Sequence, residues 1–134
     1  MKRKIYLPVV ALLIIFAACS PQSRLSSRLT AEWNVVKFES RSPDGSSSTI
    51  ENAGTLIFRS GGQGTQSFTS AIAFAGEEVA NEFEWKNTER TLSIKAKDAE
   101  VPKVWIVVKS QRTKQEWYST DSSGNVQVMH IEKK

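Results

Sequence analysis

The chain has 134 residues, with 18 basic side chains, 14 acidic ones and a single cysteine, and its formal net charge is +4. Three of the basic residues lie at positions 2–4, so 15 basic and 14 acidic side chains follow them. The chain after position 4 is therefore close to neutral, which gives no support for a nucleic-acid partner, because such a partner would require a basic surface. One cysteine cannot form a disulfide within the chain, so a domain of this length must be stabilised by burial alone.

The first 19 residues have the organisation of an export signal. An apolar run from Ile5 to Phe16 follows the basic residues, and two alanines lead into Cys19. The run is shorter than the about 20 residues that a membrane-spanning helix needs. Basic, apolar and small-residue segments in this order predict a cleaved signal peptide at residues 1–18.

Residues Phe16-Ala17-Ala18-Cys19 resemble the processing motif of bacterial lipoproteins. In that family the cysteine sulfur receives a diacylglycerol and the chain is cut just before it, so the resemblance implies lipid attachment at Cys19. Each buried methylene group contributes about 0.8 kcal/mol, and two or three acyl chains therefore give stable anchoring. Ser20 in place of Asp resembles the signal for the outer membrane, and we expect the periplasmic face. The alternative is an ordinary secretory signal with a free thiol at Cys19.

From Trp33 onward, short runs of alternating apolar and polar residues are separated by turn residues about every ten positions. A period of two is typical of strands with one buried face. Before them, Leu25 and Leu29 lie four apart, and with Ser23 as a cap they predict one or two helical turns. The eight predicted strands are Glu32–Ser40, Gly54–Arg59, Thr65–Phe74, Val79–Lys86, Thr91–Lys97, Val101–Ser110, Lys114–Thr120 and Val126–Glu132.

The order of these strands predicts how they pair. No long helix separates them, so parallel crossovers are excluded. Eight sequential strands with short connections can close a small barrel, which removes exposed strand edges. We therefore predict an all-β fold, an antiparallel up-and-down eight-stranded barrel, with a β-sandwich as the alternative. The predicted domains are the signal peptide at 1–18, a lipidated tether at 19–28 and the barrel domain at 29–134.

Four segments of the predicted barrel carry a resemblance to a known family: Leu29-Thr30-Ala31-Glu32-Trp33-Asn34-Val35, Gly54-Thr55-Leu56-Ile57-Phe58, Phe83-Glu84-Trp85 and Thr91-Leu92-Ser93-Ile94. They resemble the small lipocalin-like lipoproteins of Bacteroidetes-type bacteria, over most of residues 29–134. In lipocalins proper, the Trp of an opening Gly-x-Trp packs across the barrel floor; Trp33 stands at that position and Ala31 replaces the Gly. The resemblance implies a lipocalin-like barrel, and it adds fold more than function because many members have no assigned activity.

Aromatic side chains are the feature of the sequence that points to binding. Barrels of eight strands either hold one small ligand or are filled by their own side chains, and the sequence fits both. Ligand sites are mostly apolar with a few polar groups, and Ser70 on the inner face of the third predicted strand would be one such group. The candidate pocket residues are Trp33, Phe58, Phe68, Ser70, Phe74, Phe83, Trp85 and Trp105.

The sixth predicted strand is apolar on both faces, with Val104, Ile106 and Val108 opposed to Trp105 and Val107. Either the N-terminal helical segment covers the outer face, or that face meets a partner.

Two functions are consistent with the sequence. One is a membrane-anchored envelope lipoprotein that binds a small hydrophobic ligand, and the other is a solid-core barrel that binds or inhibits another envelope protein.

The sequence contains no arrangement typical of catalysis or metal binding. His130 is the only histidine, and without a neighbouring cysteine it cannot complete a usual zinc site. Glu82 and Glu84 are spaced for the same strand face, which we expect to be solvated because Phe83 and Trp85 take the opposite face. We therefore expect no enzymatic activity, no catalytic residues, no metal and no cofactor.

Overall fold

The computed structural model describes residues 20–68 and 80–134, which form one helix and eight strands. Each strand pairs antiparallel with the next, and the last strand pairs with the first, so the sheet closes into an up-and-down barrel. The predicted barrel is confirmed, and the β-sandwich alternative is wrong. Helix α1 spans Pro21–Leu29, and strands β1 to β8 span Glu32–Arg41, Ser47–Arg59, Gln63–Phe68, Ala80–Asn87, Thr91–Ala96, Lys103–Ser110, Lys114–Thr120 and Val126–Lys133.

Strand β2 differs most from its predicted bounds. It begins at Ser47 instead of Gly54, because the polar stretch before Gly54 pairs with the second half of β1. Most side chains in that stretch are exposed, so no apolar alternation marks it as a strand. The register shifts near Asn52, whose φ of 52° lies in the left-handed region that asparagine tolerates better than most residues. The second half of the third predicted strand, residues 69–74, lies outside the described residues.

Helix α1 covers one end of the barrel. Its N-cap is Ser20, not Ser23, because the Ser20 hydroxyl accepts a hydrogen bond from the Ser23 amide at 3.2 Å. Leu25 and Leu29 are buried in the barrel core. Residues 20–28, assigned to a tether from the sequence, therefore belong almost entirely to a helix that packs on the barrel. No helix in the described part of the chain is both long and apolar enough to cross a membrane.

Hydrogen bonds attach α1 to the ends of two strands. The Gln22 side chain donates to the Asn87 carbonyl oxygen at 2.9 Å, and the Asn87 side chain donates to the Gln22 carbonyl at 3.1 Å. At the other end of the helix, Arg28 Nη1 donates to the Ser110 carbonyl oxygen at 2.9 Å. Asn87 ends β4 and Ser110 ends β6, so the whole helix lies across this end of the barrel.

We expect replacement of Leu29 by alanine to lower the free energy of unfolding by about 3 kcal/mol, because the fully buried side chain would leave a cavity under α1. The measurement is urea unfolding of residues 20–134, which contain α1 and all eight strands and should unfold cooperatively. Ser27→Ala, an exposed change in the same helix, is the control and should alter the free energy by less than about 0.5 kcal/mol. Equal effects of the two substitutions would contradict the packing of α1 on the core.

Candidate functional site

Aromatic side chains fill the half of the barrel beneath α1, which we call the closed half. The centroid of the Phe58 ring lies 5.3 Å from those of the Phe83 and Trp85 rings and 6.0 Å from that of the Trp117 ring. The pairs are tilted or edge-to-face, the geometries that aromatic rings favour. All four side chains are buried, as is Trp33 beside them in the core, so the closed half is packed by the protein itself.

The polar atoms of this aromatic cluster are also used internally. A buried indole N–H without a partner would be costly, and each one here donates a hydrogen bond to a neighbouring oxygen. The closed half therefore offers no free indole donor to a ligand. The donors and acceptors are Trp33 to the Leu29 carbonyl at 2.9 Å, Trp85 to the Gln63 carbonyl at 2.9 Å, and Trp117 to the Gln115 side-chain oxygen at 2.9 Å.

A glycine makes room for these rings. Gly64 in β3 lies opposite Phe58 on one side and opposite Phe83 on the other. A Cβ atom at this position would overlap the Phe83 ring and the Ile57 carbonyl oxygen. Because neither the ring nor the backbone could move without disturbing the cluster, a residue without a side chain is needed here.

The other end of the barrel, which we call the open half, contains a cavity of about 300 Å³ between the described side chains. It lies where β3 ends and β6 begins, opposite the end that α1 covers. The volume is at the lower end of the range for small-molecule sites. Most of the lining is apolar: Phe38, Leu56, Phe68, Ile94, Ala96, Ala99, Val101, Trp105 and Met129, with Gln66, Lys103 and Gln127 as the polar members.

Lys103 brings a charge to this apolar cavity. It lies opposite the buried Ile94 in the register of β5 and β6, and two residues before the buried Trp105, so its side chain is on the inner face. Its Nζ atom is 5.1 Å from the centroid of the Trp105 ring, within the range of a cation–π contact. Burial lowers the pKa of Lys103, and the Asp121 carboxylate opposes that shift.

Two glutamines complete the polar lining of the cavity. Gln127 in β8 is only 4% exposed, and Gln66 in β3 is partly buried. Neither side-chain amide forms a hydrogen bond with another residue in the described ranges. The lining therefore carries amide donors and acceptors that no described residue uses.

The structure separates the candidate pocket residues into three groups. Phe68 and Trp105 line the cavity, whereas Ser70 and Phe74 lie outside the described residues. The other four candidates, which pack in the core without being part of the cavity lining, are Trp33, Phe58, Phe83 and Trp85.

Sequence reasoning missed Gln66, Lys103 and Gln127 as lining residues. The alternation of the strands could have identified them, because residues two apart lie on the same face of a strand. Lys103 is two residues before Trp105, and Gln127 is two residues before Met129. Cys19 is also outside the described residues.

The titratable side chains considered from the sequence lie on the outward-facing sides of their strands. His130 Nδ1 lies 3.8 Å from Glu116 Oε2, and Glu82 and Glu84 are exposed on β4. Within residues 20–68 and 80–134, no three His, Cys, Asp or Glu side chains are grouped to hold a metal ion.

The outer face of β6 is exposed, because α1 covers the end of the barrel instead of this strand. Val104, Ile106 and Val108 are 51%, 54% and 53% exposed. They alternate with inward-facing residues of the same strand, so they form one apolar row on the barrel surface. Of the two coverings considered from the sequence, the N-terminal helix is therefore excluded as the cover of this face.

Comparisons with known proteins show likeness in fold. A lipocalin-like protein from Bacteroides uniformis is 12% identical with a TM-score of 0.56, and the match covers 80% of this chain and 99% of that one. A redesigned β-barrel is 16% identical with a TM-score of 0.54, covering 83% and 96%. An uncharacterized protein from Bacteroides eggerthii is 11% identical with a TM-score of 0.50, covering 76% and 98%.

Sequence-level comparisons add nothing to this likeness, since neither a family model nor a curated protein matches the chain. At identities this low, shared architecture carries no information about ligands or partners. The fold is a lipocalin-like barrel, and any function must be argued from the cavity and the surface.

Proposed function

We propose that this protein binds one small hydrophobic ligand in the open half of its barrel, while a lipid on Cys19 holds it at the outer membrane. The apolar cavity of about 300 Å³ is the observation that carries the proposal. Protein interiors normally contain few voids larger than a water molecule. In this barrel, aromatic rings fill the closed half and the open half contains the cavity. We expect this arrangement in a barrel whose closed end is structural and whose open end binds a ligand.

The test is a panel of hydrophobic probes, including fatty acids and long-chain alcohols, added to residues 20–134. Trp105 lines the cavity, so a bound probe should change the tryptophan emission. We expect at least one probe to bind saturably with one site. The proposal would be overturned if no probe changed the emission and calorimetry detected no heat of binding for any of them.

A variant that fills the cavity gives a sharper result. Ala96 lies on the inner face of β5 and lines the cavity, so Ala96→Phe should lower probe affinity at least about tenfold, or about 1.4 kcal/mol. The matched control is Lys95→Phe, which adds the same ring to the exposed outer face one residue earlier. Equal affinities of the two variants would place binding outside the cavity.

The position of α1 supports a specific orientation for an anchored barrel. The described chain starts at Ser20, directly after Cys19, and α1 lies across the closed half from there. A lipid on Cys19 would therefore hold the closed half towards the bilayer and the cavity away from it. In this arrangement the ligand exchanges with the aqueous side of the membrane.

Replacing Cys19 with serine tests the anchor. We expect Cys19→Ser to move the protein from the membrane fraction to the soluble fraction and to abolish incorporation of labelled palmitate. Ser20→Asp tests the membrane assignment, because aspartate is also a good N-cap and should leave α1 intact. This variant should shift the protein towards the inner membrane. A Cys19→Ser protein that stays in the membrane fraction would exclude anchoring through this residue.

The exposed face of β6 favours a second function, in which this row of side chains binds an apolar surface of another envelope protein. A photo-crosslinking residue at Val108 should give one reproducible product in cells, and Ile106→Glu should abolish it by placing a charge in the contact. The same crosslinker at the exposed Glu82 on β4 is the control for random collisions. Products that are identical at the two sites, or that persist with Ile106→Glu, would contradict a specific contact.

A further inference from the structure

We propose that the ligand of this cavity is an amphipathic carboxylate, whose charged group pairs with Lys103 while its apolar part fills the open half. The inference rests on the proposed function, because it names the chemical class of the ligand for the same cavity. It commits to one contact, between the ligand carboxylate and Lys103 Nζ.

Lys103 forms no ion pair with a described residue, although the Asp121 carboxylate acts on it electrostatically. Among the described lining residues it is the one charged side chain. Its Nζ atom contacts the face of Trp105, which attracts a cation but cannot neutralise it. A partly buried ammonium group in apolar surroundings is destabilised unless an anion joins it.

The carboxylate that acts on Lys103 electrostatically is that of Asp121, which accepts hydrogen bonds within its own turn. Asp121 begins the turn between β7 and β8, and its Oδ1 atom accepts hydrogen bonds at 2.9 Å from the amides of Ser123 and Asn125. Its Oδ2 atom accepts a third hydrogen bond at 2.9 Å from the Asn125 side chain. These bonds, with a smaller contribution from the charge of Lys103, hold the pKa of Asp121 below its usual value. The carboxylate is thus an anion held in the turn, and because it forms no ion pair with Lys103, the Nζ atom can still pair with a ligand.

The other polar side chains that line the cavity can also bind a carboxylate. The side-chain amides of Gln66 and Gln127 carry N–H donors that no described residue accepts. A carboxylate has two oxygens and about four lone-pair directions, so it can accept from an ammonium group and an amide together. A phosphate monoester would bring nearly two negative charges against one lysine, and such groups are more often bound by several cations or by arginine.

The experiment compares decanoate with decanol, two probes that share the same apolar chain and differ in the head group. Binding to residues 20–134 is measured by calorimetry at neutral pH, once the unfolding transition described under Overall fold has verified that this portion folds, with the full chain as reference. We expect decanoate to bind about tenfold more tightly than decanol, which corresponds to about 1.4 kcal/mol. This comparison uses the unchanged protein and therefore does not depend on the folding of any variant.

Lys103→Met should reduce the affinity for decanoate to the level of decanol and leave decanol unchanged, whereas Lys103→Arg should retain most of the preference. Lys95→Met is the matched control, since it removes the same charge from the outer face of β5 and should change neither affinity. The melting temperature of Lys103→Met without ligand should equal or exceed that of the wild type. A purely structural role for the lysine would instead lower it.

The outcomes separate this inference from the proposed function. Equal binding of decanol and decanoate, unaffected by Lys103→Met, would overturn the carboxylate pairing while leaving a hydrophobic binding site. Binding of neither probe would count against both. A preference for decanoate that Lys95→Met removes as effectively as Lys103→Met would show a diffuse charge effect and would also overturn the pairing.

Discussion

The packing of α1 over the aromatic cluster is the interaction on which the rest of this structure depends. Leu25 and Leu29 enter the core, and the Trp33 indole donates a hydrogen bond to the Leu29 carbonyl, so helix and first strand are joined at the barrel end. One end of the barrel is thereby closed without a loop folding into it. Since a closed sheet has no free edges, the cavity at the opposite end is the access to the interior that the described residues provide.

The two halves of the barrel differ in how their polar groups are satisfied. In the closed half, the indole N–H groups donate to oxygens of the protein itself, and Gln115 Nε2 is buried there without a partner among the described residues. In the open half, the ammonium group of Lys103 and the amide of Gln127 have no hydrogen-bonding partner among the described residues. The polar groups that remain available to a ligand at the cavity are therefore those of Lys103 and Gln127.

Much of the barrel could be predicted from the sequence, because strands with one buried face alternate in polarity. β5 shows this most clearly, with Leu92 and Ile94 inward and lysine or hydroxyl side chains outward. The first half of β2 could not be found in this way, since most of its side chains are exposed. Alternation indicates which face of the sheet a residue occupies, but it does not indicate whether the residue lies near the closed or the open end of the barrel. For that reason Phe58 and Trp85 were grouped with Phe68 and Trp105, although the former pair fills the closed half and the latter pair lines the cavity.

Strand β6 contributes to both surfaces that the structure offers for binding. Lys103 and Trp105 face the cavity, whereas Val104 and Ile106 face outward, and this parity holds up to the register shift between Val107 and Lys109. Substitutions one residue apart in this strand therefore test different functions in the same local backbone. An effect on ligand affinity confined to the inner positions, or on protein contacts confined to the outer ones, distinguishes a direct contact from a general disturbance of β6.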